Sequence, residues 1–300
     1  MAVSTGNLIL ASDFNTLRGE VNRWFADNYA GTISFGNSNQ TYGWGGSAAS
    51  SVSTGNTMLA SEMNALIDRC NIGVGIVDSV SGTLSQVSTG NLILASDFNN
   101  TETKSDSLTT DRLDITSGEL SLHSGGSTQR TTSWSSAINC TFRYTFSSFD
   151  EARYFWNSGG AFNISGSISG YSTGTGYDGA GFNEIFTNMG TVTMDYTETV
   201  QSGSGGTPTS TGYYDLGTSY GQIFSQTGTG VYSNATLAIN ARYGSSGAYI
   251  ELQVVLTPEA GRTVDGTTTI TTQYRKLDDQ SSGGASLTIT APSYSLQDGF

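Results

Sequence analysis

Two pairs of carboxylates are the residues of this chain whose type and spacing come nearest to acid–base chemistry. Asp195 and Glu198 lie three positions apart, and Asp178 and Glu184 lie six apart. Two carboxyl groups that meet in a cleft can act as general acid and general base in glycoside hydrolysis. Neither pair belongs to a catalytic motif, so we interpret all four as solvated carboxylates at strand edges.

The sequence offers little to a metal ion or a nucleophile. The one histidine, His123, lies in a polar segment without a nearby cysteine, which argues against a zinc site or a Ser-His-Asp triad and favours an exposed linker residue. Asp278 and Asp279 could bind calcium in a turn, but the spacing of an EF-hand loop is missing. We therefore expect no catalytic residue, no metal and no cofactor.

Tyrosines in glycine-rich loops are the remaining candidates for ligand binding. A tyrosine ring can stack on the apolar face of a sugar, but the same amphipathic ring also covers sandwich edges and interfaces. We favour the second interpretation and keep glycan contact as the alternative for Tyr171, Tyr177, Tyr213, Tyr214 and Tyr220.

An internal repeat dominates the first third of the chain. Residues 3–15 (VSTGNLILASDFN) recur unchanged as residues 87–99, and residues 52–64 keep nine of the thirteen. The copies begin 49 and then 35 residues apart, whereas a solenoid needs a nearly constant period to bury each unit against the next. The irregular spacing favours similar segments that each dock on a neighbour or on another chain.

Each copy predicts a turn followed by a helix. The Gly-Asn pair suits backbone at positive φ, with Ser12 as N-cap and Asp13 in the first turn, beside the positive end of the helix dipole. Apolar residues recur at helical spacing in copies one and two, whereas the third copy loses them and predicts a short or frayed helix. We interpret the apolar side chains as core or chain-to-chain contacts, and the candidate partner-interface residues are Phe14, Leu17, Val21, Trp24, Phe25, Met63, Leu66, Ile67 and Phe98.

Composition excludes several classes of protein. Only 12% of residues are charged, and tyrosine and phenylalanine are frequent, which favours strands and turns over long helices. The net charge of −13 argues against binding to nucleic acid or to an anionic membrane surface. We also expect neither a signal peptide nor a membrane span. For Cys70 and Cys140 a disulfide stays open as an alternative, and two buried free thiols are favoured.

Three regions follow from these patterns. Residues 1–116 hold the repeats, at 3–25, 52–70 and 87–105, and form an N-terminal anchoring region. Residues 117–132 turn polar and predict a linker or extended arm. From 133 to 300, alternating apolar residues between Gly/Ser clusters predict short strands, with a short helix near 149–156. The predicted fold is mainly β, a jelly-roll-like antiparallel β-sandwich preceded by short helix-turn modules.

Two stretches resemble segments of phage structural proteins. Residues 6–25 (GNLILASDFNTLRGEVNRWF) are similar to N-terminal modules of virion proteins from tailed phages, especially cyanobacterial phages. Residues 152–167 (ARYFWNSGGAFNISGS) resemble the FFNSGG segment of the β-rich tail and fibre proteins of those phages. The likeness covers most of the chain at low resolution, and its motifs are more specific for a phage particle than for a position within it. It implies an assembly component without catalysis and transfers no active-site residue.

The sequence thus predicts a non-enzymatic virion structural protein that is assembled in the host cytoplasm. Its repeats would anchor it to other proteins of a tail, fibre, baseplate or neck, with self-association into a trimer or ring. Near-identical modules in one chain could contact equivalent surfaces on symmetry-related partners. The alternatives are an adhesin that binds host surface glycans, a capsid decoration protein and, least favoured, a glycan-cleaving enzyme.

Overall fold

The computed structural model describes residues 3–4, 8–28 and 42–300, and the chain divides into two compact units. Unit 1 comprises Met1–Ser121, Arg153–Gly159 and Leu277–Thr290. Unit 2 comprises Leu122–Ala152, Gly160–Lys276 and Ala291–Phe300. This division differs from the predicted regions, because two segments from the C-terminal half belong to the N-terminal unit.

Three helices form the centre of unit 1, and each contacts the other two: α1 (Ala11–Phe25), α2 (Ala60–Ile76) and α3 (Ala95–Asp111). The prediction of a short or frayed third helix is wrong, since α3 has 17 residues and α1 has 15. Small polar side chains replace the apolar stripe of α3 without breaking the packing. Ser105 Oγ, for example, accepts a buried hydrogen bond of 2.9 Å from Trp24 Nε1.

The helices begin in the same way in all three copies. The N-cap position is a leucine, with ψ of 156° at Leu10, 153° at Leu59 and 155° at Leu94. The carboxylate three residues later caps the helix, as where Asp13 Oδ2 accepts the N–H of Leu10 at 2.9 Å. The predicted N-cap at Ser12 is therefore wrong, because Ser12 already lies in the first helical turn.

The turns before α2 and α3 require glycine. Gly55 and Gly90, in the second and third copies, both have φ of 89°, in the region where side chains other than glycine are strained. In these turns the N–H of Asn56 donates to Ser53 O, and the N–H of Asn91 donates to Ser88 O. This confirms the predicted positive φ for the glycine of both copies, whereas Asn56 and Asn91 do not have positive φ. The same turn of the first copy falls at residues 5–7, outside the described residues.

The strands and remaining helices follow in chain order. They are β1 (Leu120–Arg130), β2 (Ile138–Thr145), α4 (Phe149–Asn157), β3 (Ala161–Ser169), α5 (Gly179–Met189), β4 (Val192–Met194), β5 (Thr199–Gln201), β6 (Thr207–Pro208), β7 (Gly221–Thr227), β8 (Thr236–Tyr243), β9 (Tyr249–Thr257), β10 (Thr267–Leu277), β11 (Gln280–Ser282), β12 (Ala285–Leu287) and β13 (Ser293–Asp298). Helix α4 confirms the helix predicted near 149–156. The β11–β12 hairpin packs on α2 in unit 1.

Unit 2 is a sandwich of two sheets, which confirms the predicted fold class. The sheets have the strand orders β13-β2-β9-β8-β7-β6 and β1-β10-β3-β4-β5. Period-two alternation along β2 buries Cys140, Phe142 and Tyr144 on one face. The Tyr144 ring lies 4.3 Å from that of Phe162 in β3, and its hydroxyl hydrogen-bonds with Thr272 in β10. These contacts join the inner faces of the two sheets.

Residues 117–132, predicted as a linker or arm, contain β1 of the five-stranded sheet. The N–H of Gly126 donates to Thr272 Oγ1 at 3.0 Å. Serine, threonine and glycine fill this strand, so its composition is that of a loop although its backbone pairs. His123 lies in β1 with its ring stacked on Tyr274, 5.1 Å between centroids, and is partly buried instead of exposed as predicted.

Cys70 and Cys140 are buried free thiols, as the favoured interpretation predicts. Burial raises the pKa of Cys70 to about 12 and also raises the pKa of Cys140. Both are therefore protonated and inert as nucleophiles near neutral pH. In the parts of the chain that the structure describes, none of the helices is long and apolar enough to cross a bilayer.

Candidate protein-interaction surface

Three asparagines join the repeat copies into a closed ring. In each copy the asparagine at the end of the repeat makes two hydrogen bonds to the backbone of a valine that starts another copy. Its Nδ2 donates to the valine carbonyl, and its Oδ1 accepts the valine N–H, at distances between 2.7 and 3.0 Å. Copy one docks on copy two, copy two on copy three, and copy three on copy one, through the pairs Asn15–Val52, Asn64–Val87 and Asn99–Val3.

A second pair of contacts sets the direction of the chain. Asn22 binds the backbone of Ala49 at 2.9 and 2.8 Å, and Asn71 binds that of Leu84 at 2.9 and 2.7 Å. These asparagines lie two turns further along their helices, yet their partners lie three residues earlier in the chain. Each extended segment therefore runs back along the preceding helix, and all three helices begin at the same end of unit 1. Connections of unequal length explain the irregular period.

The nine predicted partner-interface residues lie in the interior of unit 1. Their exposed fraction in the single chain is at most 2% for Phe14, Leu17, Val21, Trp24, Phe25, Met63, Leu66, Ile67 and Phe98. A partner cannot touch a side chain that its own chain covers, so the prediction of direct partner contact is wrong for them. They stabilise the helix bundle instead, and the ring of Trp24 packs edge-on against Trp44 with 5.4 Å between centroids.

The surface that unit 1 does expose lies at the helix starts. The three N-cap leucines are 55–56% exposed, and the leucines two positions earlier in copies one and three are 84–85% exposed. Thr57 takes the latter position in copy two. Scattered exposed leucines are ordinary, but a set repeated at the helix starts of one unit is a candidate interaction surface. We call this set the leucine face: Leu8, Leu10, Leu59, Leu92 and Leu94.

Sequence reasoning missed this surface because it followed the helical periodicity. A Leu-Ile-Leu stretch precedes α1 and α3, and Thr57-Met58-Leu59 precedes α2. These stretches have no amphipathic pattern of their own. The signal of this surface was identity, since copies one and three agree through this stretch and then diverge completely between residues 16–25 and 100–109.

Carboxylates flank the leucine face. Beside each N-cap leucine, the partly exposed carboxylate of Asp13, Glu62 or Asp97 accepts the leucine N–H at 2.9, 2.7 or 2.8 Å. The positive end of the helix dipole stabilises the negative charge at this position. The face is therefore apolar with an acidic margin at each of its three equivalent parts.

The candidate glycan-contact tyrosines have different environments. Tyr213 and Tyr214 are buried, and the Tyr213 hydroxyl donates to Gly247 O at 3.1 Å, so the prediction of surface contact is wrong for these two. They pack against each other at an edge-on angle in the core of unit 2. Tyr171 is partly exposed and Tyr177 is 39% exposed, at the two ends of a glycine-rich loop.

Tyr220 belongs to a charged cluster around Glu251. Tyr220 donates a hydrogen bond of 2.7 Å to Glu251, and Arg143 and Arg242 both pair with the same carboxylate. Burial acts to raise the pKa of Glu251, but the hydrogen bonds from Tyr220, Arg143 and Arg242 outweigh it and hold that pKa below its usual range. The cluster links β2, β8 and β9, so its charged groups stabilise the sheet.

One carboxylate of each pair has a structural role, and the interpretation as a solvated carboxylate is wrong for Asp178. Asp178 is fully buried, where it accepts the N–H of Glu259 and lies 3.7 Å from the Arg262 guanidinium. Asp195 Oδ1 accepts the N–H of Glu198 at 3.0 Å and so holds a turn. Among the residues that the structure describes, no cluster of three His, Cys, Asp or Glu is placed to hold a metal ion.

No protein-family model, no curated protein and no solved structure matches the chain.

Proposed function

We propose that this chain is a non-enzymatic virion structural protein of a tailed phage, in the tail fibre, baseplate or neck. The sequence resemblance of residues 6–25 and 152–167 supports the phage class. The leucine face supports the assembly role, and it is the observation that carries the proposal. In this account unit 1 anchors the chain to other virion proteins, and unit 2 is displayed as a β-sandwich.

The leucine face has the chemistry of an anchor. Burying a leucine side chain contributes about 1.5–3 kcal/mol, so five of them supply the apolar centre of an interface. The closed ring holds the helix starts in place before a partner arrives, which lowers the entropy cost of association. The anchoring residues are thus the exposed leucines and not the buried helical stripe.

Purified particles test the proposal directly. Mass spectrometry should detect the chain in intact particles, and cryo-electron microscopy should place it at the tail, baseplate or neck. The triple variant Leu10→Ser, Leu59→Ser, Leu94→Ser should lose incorporation. Leu122→Ser is the matched control, because Leu122 in β1 is 54% exposed but lies outside the leucine face. Density on the capsid lattice would support the decoration alternative, and absence from particles would overturn the proposal.

Tyr177 is the observation that favours an adhesin as a second candidate function. Its exposed ring beside glycine-rich backbone is suited to stack on a sugar. A glycan array with the full chain tests this, with Tyr177→Ala as the variant and Val231→Ala, another exposed side chain, as control. Binding that Tyr177→Ala abolishes would support the adhesin, and equal signals from both variants would count against it.

A further inference from the structure

The three repeat copies share buried positions, such as Val3, Val52 and Val87, and they also share an exposed surface at their helix starts. At the leucine face, the N-cap leucine and the capping carboxylate recur in every copy with the same degree of exposure. In the interior of the bundle, equivalent positions hold Trp24, Gly73 and Leu108. Packing within the bundle explains the buried positions, whether they recur or vary, but within the described residues the leucines of this face are too exposed to have such a packing role. Their repetition indicates that the leucines contact another protein.

The ring closes after three equivalent links, which is the pattern of an approximate three-fold axis. Each copy makes the same pair of asparagine–valine hydrogen bonds to the next, and the third pair returns to the first copy. A single chain thus presents one surface three times around an axis. A partner that matches all three parts at once must itself carry three equivalent sites around an axis, which is the property of a homotrimer.

We propose that the leucine face seats on the three-fold axis of a homotrimeric virion protein, with one copy of this chain for each trimer. Each subunit of the trimer receives one helix start in an apolar recess with lysine or arginine at its margin. The basic margin complements Asp13, Glu62 and Asp97. This inference rests on the proposed function and specifies the partner of the same surface.

A second copy of this chain fits the leucine face less well. Two faces pressed together would place six carboxylates at one junction, in chains of net charge −13 each. Three linked contacts on one trimer, in contrast, act as intramolecular events after the first and multiply the affinity.

Thr57 provides a test by gain of binding. It occupies the position of Leu8 and Leu92, so one of the three parts of the face has a single leucine. Thr57→Leu completes the pattern on an exposed position and should strengthen attachment about tenfold, whereas Leu10→Ser, Leu59→Ser or Leu94→Ser should each weaken it about tenfold. Leu122→Ser should leave attachment unchanged.

The decisive experiment is to release tail subassemblies from particles and measure their composition and symmetry. Quantitative mass spectrometry should find one copy of this chain to three of the protein it touches, and cryo-electron microscopy should place unit 1 on a three-fold axis. Resistance of the attachment to guanidinium then ranks the variants. Presence in particles at another ratio, off a three-fold axis, or as face-to-face pairs would overturn this inference alone. Absence from particles would overturn the proposed function with it.

Discussion

Asn99 and Val3 lie 96 positions apart in the chain and exchange two hydrogen bonds in the folded protein. The N–H of Val3 donates to Asn99 Oδ1 at 2.8 Å, and Asn99 Nδ2 donates to Val3 O at 3.0 Å. The equivalent partners in the other two pairs are 37 and 23 residues apart. This longest contact closes the ring of repeats, so the geometry of the leucine face depends on it.

Asn99→Ala should destabilise unit 1. The substitution leaves the N–H and carbonyl of Val3 without their partner, which costs about 1–3 kcal/mol for a buried polar group. Urea unfolding measures the difference. Asn100→Ala is the matched control, since Asn100 is an exposed neighbour on the same helix, and equal midpoints for the two variants would show that ring closure contributes nothing.

Trp24→Ser should lower the stability of unit 1, because the side chain lies in its core. Trp24 is 1% exposed, packs on Phe25 and Trp44, and donates to Ser105, so its loss should cost about 3–5 kcal/mol. Near-ultraviolet circular dichroism during thermal unfolding measures this loss. Leu8→Ser should differ from the parent by only about 0.5 kcal/mol, because Leu8 lies in solvent. A fully stable Trp24→Ser variant would contradict the assignment of this stripe to the core.

Tyr144 should ionise at a higher pH than an ordinary tyrosine. Burial raises its pKa to about 12, against about 10 for an ordinary tyrosine. The stability that Tyr144 contributes is fully present below pH 10 and is lost as the pH rises through its folded pKa, because only the unfolded chain ionises easily in that window. In a pH titration, absorbance at 295 nm should show an ionisation step above that of ordinary tyrosines, and this step should be smaller in Tyr144→Phe. The step from Tyr220, whose pKa is also raised to about 12, should remain.

Glu251 should make unit 2 sensitive to acid. Its folded pKa is lowered, so the carboxylate contributes stability above the ordinary glutamate pKa, and this contribution is lost as the pH falls through the folded value. Glu251→Gln should cost about 1–3 kcal/mol at neutral pH and flatten the acid dependence of the urea midpoint. Glu198→Gln, at an exposed position, should retain the parental dependence. A Glu251→Gln midpoint that equals the parental midpoint at neutral pH, or that falls as steeply as the parental midpoint on acidification, would refute this role.

Local patterns determined which elements form. The alternation of Cys140, Phe142 and Tyr144 predicts a strand with one buried face, and β2 is that strand, because side chains alternate across any extended backbone. The apolar spacing from Phe14 to Phe25 likewise predicts α1 with a buried stripe. Both inferences need only the geometry of one element, so a single sequence is enough for them.

Tertiary structure alone decided what covers each face. A buried stripe has the same sequence whether its cover comes from its own chain or from a partner, so Leu17 and Trp24 could not be assigned to the core in advance. Ring closure through Asn99 and Val3, the pairing of loop-like β1 and the burial of Tyr213 all depend on contacts between distant residues. The exposed leucines could be recognised as one face only in the folded structure, because the closed ring brings the three helix starts to one end of unit 1.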